Sequence, residues 1–291
     1  MQNKMLTLGF IGIGLMGEPM TLRLLQAGFK VNVWNRSPEK LHAVTQAGAT
    51  ACLSIAELLK VSDVVLLCLA DTAVVRDIVD KHILPAALKD KLIIDLSSIQ
   101  PQATRELAEK LQALNIRWVD APVSGGVSGA TQGNLAIMAG GAAADIALAR
   151  QVLAPLYQQL THMGAVGSGQ ITKICNQMIV SCNVLVIAEM IALAQQAGVD
   201  AEKIPQALAG GFADSKPLQI VAPEMAIKQF EPVKWRVKTL LKDLSMAVEL
   251  AAQQGSAVPM SGLAQQLMQL HGSQGFLEQD PATFIHLYTK S

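Results

Sequence analysis

Apolar residues in the first half of the chain fall into short runs of strand length, separated by segments whose apolar positions recur every three to four residues. Leu6–Ile11, Lys30–Asn35, Val64–Leu69, Leu92–Asp95 and Trp118–Asp120 read as strands, with Asn134–Met138 as a further one. Helical spacing covers Met16–Ala27 and the stretch from about Pro38 to Gln46. Alternation of this kind predicts an α/β fold with a doubly wound, mostly parallel sheet and helices on both faces. Beyond about residue 165 the strand-like runs stop and long Ala/Leu/Gln-rich helical patterns take over. One covers Ser168–Ala197 and stops at Gly198; another covers Val237–Gln254 and stops before Gly255. Shorter patterns cover Ala201–Ala209 and Gly262–Gly272. Two domains are expected: residues 1–163 carrying the sheet, and residues 164–291 all-helical.

The most apolar stretch, Ile174–Ala194, reaches the ~20 residues that a membrane span needs. Asn176, Gln177, Asn183 and Glu189 interrupt it and Lys173 opens it, so a helix buried on all sides is the expectation. A length of 291 residues, 51% of them hydrophobic, suffices for two modest domains with their own cores. The 23 basic residues balance the 23 acidic ones and form no stripe, which argues against a nucleic-acid partner. Cys52, Cys68, Cys175 and Cys182 make no CxxC pair and no metal-like cluster with histidine. They read as buried thiols of a reducing compartment. With no signal-peptide pattern at the start, the expectation is a cytoplasmic protein without membrane attachment.

Gly12-Ile13-Gly14-Leu15-Met16-Gly17 follows the first strand and opens the first helix. In that setting Gly12 permits the tight turn and Gly14 lets a pyrophosphate approach the backbone. Gly17 lets the helix pack closely on the strand, while the helix start offers its N–H groups to the phosphates. A dinucleotide site is expected here. At the end of the second strand, an acidic residue would hold both ribose hydroxyls and repel a 2′-phosphate. This chain has Asn35 followed by Arg36 instead, which favours NADP (NADPH) and leaves NAD as the alternative.

Hydride transfer to a carbonyl requires a proton donor for the developing alkoxide and a grip on the substrate. Ser124-Gly125-Gly126, in the Asp120-Ala-Pro-Val-Ser-Gly-Gly segment, exposes successive N–H groups and a hydroxyl suited to a carboxylate. Lys173, Asn176 and Gln177 stand at i, i+3 and i+4 on an otherwise apolar helix and share one face. Such a trio must meet a cavity, a partner or a ligand, because unpaired burial is costly. A lysine there can act as general acid when its surroundings lower its pKa toward the working pH.

Four segments occur in order: GFIGIGLMGEPM, DAPVSGG, GSGQITKICNQ and Leu241-Lys242-Asp243-Leu244. Together they resemble the β-hydroxyacid dehydrogenase family over essentially the whole chain. That family includes 3-hydroxyisobutyrate dehydrogenases, tartronate semialdehyde reductases and glyoxylate/succinic semialdehyde reductases. The resemblance implies a Rossmann domain followed by an all-α domain, and reversible NADPH-linked reduction of a small carboxylate-bearing aldehyde to a β-hydroxy acid. It implies Lys173 as proton donor, Ser124, Gly125 and Gly126 as the carboxylate loop, and Asn176 as a substrate-orienting position. Ser98, the Leu69–Ala70 backbone and Lys242 match positions that line the coenzyme. Lys173-x-x-Asn176-Gln177 resembles the tartronate semialdehyde reductases more than the 3-hydroxyisobutyrate dehydrogenases, which carry Asn four residues after the lysine. Asp214 and Lys216 depart from the pattern in the Gly210–Pro217 segment, where family members contact the far end of the substrate. A homodimer or homotetramer is implied as well. The reading of a different class, an NADP-binding sensor without catalysis, is disfavoured by Lys173, Ser124 and Lys242.

Overall fold

The computed structural model describes residues 6–86 and 88–289. The chain forms two compact units, Met1–Lys173 and Ile174–Ser291. Among the described residues the first contains nine strands: β1 (Thr7–Ile11), β2 (Lys30–Trp34), β3 (Thr50–Ala51), β4 (Val64–Leu67), β5 (Leu92–Asp95), β6 (Arg117–Asp120), β7 (Val123–Ser124), β8 (Leu135–Gly140) and β9 (Tyr157–Gly164). They join one sheet in the order β3-β2-β1-β4-β5-β6-β8-β7, with β9 paired to β8. From β3 to β6 all pairs are parallel; β8 runs antiparallel to β6 and β7.

Strand residues alternate between two cores. Leu8, Phe10, Val31, Val33, Val64, Leu66, Leu92 and Ile94 face one layer of helices. Ile11, Val65, Leu67 and Ile93 face the other. Burial on both faces explains why these strands read as nearly unbroken apolar runs, and each such side chain contributes about 2 kcal/mol through removal from water. The row expected to run to Leu69 ends at Leu67, because the Leu69 N–H leaves the ladder and donates to Ser97 Oγ. β9 was not anticipated. Its sequence, YQQLTHMG, buries only Leu160 and pairs only with β8, so the apolar signal of a central strand is absent. The two-residue strands β3 and β7 are too short to carry a pattern.

Among the described residues, the second unit is helical throughout. It holds most of the helix Ser168–Gln196, together with Ile204–Leu208, Lys216–Ile227, Val237–Gln253 and Pro259–His271. Its core gathers Val184, Ile187, Ala188, Ile191, Val221, Leu240, Leu244, Met268 and Phe284. The helix Lys216–Ile227 was hidden in the sequence by Pro217 and Pro223. Pro217 sits in the first turn, where no N–H is needed, and the Ser215 hydroxyl accepts from the Leu218 N–H to cap it.

Two expectations are corrected. The helix Ser168–Gln196 is not buried on all sides: it is long and apolar enough to cross a membrane, yet Ile179, Val186 and Leu193 are 72%, 52% and 67% exposed. Asn176, Gln177, Asn183 and Glu189 interrupt the apolar run, but the helix has one packed face and one open one. The cysteines are all free thiols as expected, but only Cys52 is buried and Cys175 is exposed.

Candidate active site

Parallel register sets Trp34, Ile11, Leu67, Asp95 and Asp120 side by side at the carboxyl ends of β2, β1, β4, β5 and β6. Gly12, Asn35, Leu69–Ala70 and Ser98 follow this row, whereas Ser124 lies beyond it, at the end of β7, which carries on past β6 and pairs with β8. Strand order reverses between β1 and β4, and in open α/β sheets ligands bind outside the carboxyl edge at such a reversal.

At the glycine loop the three glycines are distinguished by what surrounds them. Gly12 has φ of +104°, and a Cβ there would lie 2.2 Å from the Cys68 carbonyl oxygen. A Cβ on Gly17 would lie 2.0 Å from the Gly12 carbonyl oxygen, so this glycine lets the helix Gly17–Gln26 close on the turn. A Cβ on Gly14 would meet nothing within 4 Å, which leaves the open approach that a pyrophosphate requires. Ile13 and Met16 complete the loop beneath, while Leu15 stands 69% exposed beside it.

Asn35 clasps this loop. Its Oδ1 accepts from the Ile13 N–H at 3.0 Å and its Nδ2 donates to the Ser37 carbonyl at 2.9 Å. Arg36 is exposed beside it. A cleft of about 500 Å³ opens against Ile13, Gly14 and Leu15 and continues between Glu18, Lys40 and Val127. Lys40 is a second cation near the coenzyme-binding end that sequence reasoning passed over; its place four residues beyond Arg36 was the available signal.

The loops after β4 and β5 are bound to each other by a residue the sequence reading missed, Ser97, next to the predicted Ser98. Ser97 Oγ accepts from the Leu69 N–H at 2.9 Å, and the Ser97 N–H donates to Asp95 Oδ1 at 3.0 Å. Leu69, Ala70 and Ser98 are thereby held next to one another. Asp95 is fully buried, with its Oδ2 lacking a hydrogen-bond partner among the described residues. Burial pushes its carboxyl up to about 7, against the hydrogen bonds from Ser97 and with a smaller push from Asp120.

Asp120 fastens the start of the lysine helix to the sheet. Its Oδ1 accepts from the Gly167 N–H at 2.7 Å and its Oδ2 from the Gln170 N–H at 2.9 Å, capping the first turn of Ser168–Gln196. Burial raises its carboxyl to about 6 although these amides pull the other way. A Cβ on Gly169 would lie 2.4 Å from the Met138 carbonyl oxygen and 2.7 Å from that of Asp120. The glycines ahead of Lys173 therefore serve close packing on the strand ends. Lys173 follows in the next turn and is 8% exposed. Ser124 ends β7, and Gly125 and Gly126 are exposed with φ of +137° and +63°.

In the second unit, Asn176 Nδ2 donates to Gln177 Oε1 at 2.7 Å, and Gln177 Nε2 donates to Asp243 Oδ2 at 2.6 Å. Lys242 Nζ pairs with Asp243 Oδ1 at 3.1 Å. Gln177 and Lys242 thus converge on Asp243, with Asn176 linked through Gln177; Asp243 is 3% exposed and was given no role from sequence. Both polar ends of Gln177 are engaged in this chain.

Comparison with known proteins agrees with this geometry. Residues 7–164 match the model of the NAD-binding domain of 6-phosphogluconate dehydrogenase, and residues 167–288 match that described as NAD-binding of NADP-dependent 3-hydroxyisobutyrate dehydrogenase. The 2-hydroxy-3-oxopropionate reductase of Escherichia coli is 32% identical over 280 residues, spanning 96% of this chain and 95% of that one. The 3-hydroxyisobutyrate dehydrogenase of Mycobacterium tuberculosis, solved with L-serine, superposes with a TM-score of 0.88 at 29% identity, over 98% of this chain and all (100%) of that one. Psf3, solved with NADP+ and 2-OPP, gives a TM-score of 0.90 at 26% identity, over 97% and 100%. Two family models that together span nearly the whole length, laid over a sheet edge built for a dinucleotide, place this chain among the NAD(P)-dependent β-hydroxyacid dehydrogenases.

Proposed function

We propose that the enzyme catalyses reversible, NADPH-linked reduction of a small carboxylate-bearing aldehyde of the tartronate semialdehyde type to a β-hydroxy acid. The reading is carried by one observation. The glycine loop and Ser98 follow the row of parallel strand ends, β7 carries on past β6 to Ser124, and Asp120 ties the turn that leads to Lys173 onto that row. Similarity to the Escherichia coli reductase and the Lys173-x-x-Asn176-Gln177 arrangement support the choice of substrate class.

The nicotinamide coenzyme, when bound, supplies the hydride. Gly12, Ile13, Gly14, Leu15, Met16 and Gly17 receive its pyrophosphate, with Leu69, Ala70, Ser98 and Lys242 as its further contacts. Asn35 carries no charge to repel a 2′-phosphate, and Arg36 offers a bidentate donor for one. Ser124, Gly125 and Gly126 hold the substrate carboxylate through a hydroxyl and backbone N–H groups. Lys173 Nζ gives a proton to the carbonyl oxygen as it becomes an alkoxide, and Asn176 with Gln177 orients that oxygen. Positioning and stabilisation of the developing oxyanion supply most of the acceleration. Assembly into a homo-oligomer is part of the same reading; the open stripe of Ile179, Val186 and Leu193, at heptad spacing, supports it.

The test is a panel of tartronate semialdehyde, succinic semialdehyde, glyoxylate and methylmalonate semialdehyde with NADPH and NADH, followed at the nicotinamide absorbance. Tartronate semialdehyde with NADPH is expected to give the highest kcat/KM. A preference for another compound by more than tenfold would replace the substrate. Lys173→Ala is expected to abolish turnover while NADPH affinity stays within threefold; retained turnover would remove Lys173 from its role.

A further inference from the structure

One buried side chain fastens the loop after β5 to the helical turn before Lys173. Gln170 is 1% exposed. Its Nε2 donates to the Ser97 carbonyl at 2.8 Å and its Oε1 accepts from the Ile99 N–H at 3.1 Å, so the carboxamide brackets Ser98 from both sides. Its own N–H is held by Asp120 at 2.9 Å. Gln170 and Lys173 are i and i+3 on one helix and therefore lie on the same face.

Chain packing alone does not call for an amide here, since a methionine would fill a similar volume. The carboxamide instead satisfies one donor and one acceptor two residues apart, as a neighbouring strand would. We propose that Gln170 is a positioning residue that sets the distance between Ser98 and the Lys173 ammonium group. The inference rests on the reading of Lys173 as proton donor and Ser98 as coenzyme contact. A proton donor displaced by about 1 Å loses on the order of a hundredfold in rate, so a rigid tie between the two is worth a buried polar group.

Two variants test it, with steady-state kinetics on whichever hydroxy acid or semialdehyde the parent enzyme turns over. Gln170→Met removes both side-chain bonds, and kcat is expected to fall 10- to 100-fold, on the order of a 1 Å displacement, while NADPH Kd stays within threefold. Gln170→Glu keeps the acceptor for Ile99 but, when ionised, sets a charge against the Ser97 carbonyl. Protonated, its hydroxyl donates to that carbonyl and restores both bonds. Between Asp120 and the carbonyl its carboxyl is disfavoured as an anion, so protonation falls in the accessible range. The ratio of its kcat to that of the parent is expected to rise at least fivefold from pH 8 to pH 6, while the same ratio for Gln170→Met stays flat. A Gln170→Met enzyme with kcat within twofold of the parent, or a Gln170→Glu ratio that ignores pH, overturns the proposal. A wrong substrate assignment leaves these ratios meaningful, whereas an active Lys173→Ala enzyme would sink the reading on which the proposal rests.

Discussion

Gly14 and Gly17 lie three residues apart in one loop, yet alanine at each should fail in opposite ways. A Cβ on Gly17 would sit 2.0 Å from the Gly12 carbonyl oxygen. That is roughly 1.3 Å inside an ordinary C···O contact of about 3.3 Å. The obstacle is backbone, and the Gly12 carbonyl is itself fixed, because a turn at φ of +104° crowds the Cys68 carbonyl on the other side. Neither neighbour can yield without shifting a strand end, so Gly17→Ala should cost about 3 kcal/mol, the upper range for forced overpacking. A Cβ on Gly14 meets nothing within 4 Å. Gly14→Ala should therefore leave stability within about 0.5 kcal/mol of the parent. Its methyl group would stand in the approach of the pyrophosphate, and NADPH affinity should drop at least about tenfold, or about 1.4 kcal/mol. Urea unfolding gives the first quantity and quenching of protein fluorescence by NADPH the second. Unchanged NADPH affinity in Gly14→Ala would show that the coenzyme does not cross this loop. Full stability in Gly17→Ala would refute the steric account.

Further perturbations separate charge from packing. Asn35→Asp keeps an acceptor for the Ile13 N–H and adds a negative charge, so the ratio of NADPH to NADH affinity should fall at least about tenfold; an unchanged ratio in paired titrations would contradict the role of this position. Burial, followed by nearby His286, holds the His271 imidazole down to about 4 from 6.5. The Thr283 hydroxyl spends its proton on the Asp280 carbonyl at 2.7 Å, so His271 Nε2 is the donor at 2.9 Å and its Nδ1 is buried with no hydrogen-bond partner among the described residues. A depressed pKa gives stability that is full above 6.5 and lost as pH falls toward 4. About 2 kcal/mol should disappear between pH 7.5 and pH 5, and His271→Phe should lack that loss in denaturant titrations. Asp95 has the reverse sign. Its carboxyl is raised from 3.8 to about 7, so stability is fullest at low pH and declines across that interval. Asp95→Asn should gain on the parent as pH rises from 4 to 8, by up to about 4 kcal/mol; a difference independent of pH would show that Asp95 is not the titrating group.

What could be read from sequence was what repeats or packs. Both-faced burial wrote β1, β2, β4, β5 and β6 into the chain as apolar runs, and the glycine loop sits where a helix must start against a strand. β9 was invisible because it lies at an edge with one buried residue, and Lys216–Ile227 because prolines are poor helix signals outside a first turn. The polar residues of the site were located by type and spacing, but their partners were not. Nothing local in the sequence says that Ser97, next to Ser98, takes the Leu69 N–H, or that Asp243 receives both Gln177 and Lys242. The Ser97–Leu69 and Gln177–Asp243 pairings join residues 28 and 66 positions apart, and only the fold brings them together.

The tethers at the sheet edge bear on how tightly and how fast a ligand binds. Ile13, Leu69, Ser97 and Ile99 all donate their backbone N–H groups to side chains of other elements or of the strand end itself. The loops that carry them lose their conformational freedom when the chain folds, not when the coenzyme arrives. Association then has little ordering entropy to overcome, and severing the Ser97–Leu69 tether should speed dissociation of a coenzyme that Ser97 never touches.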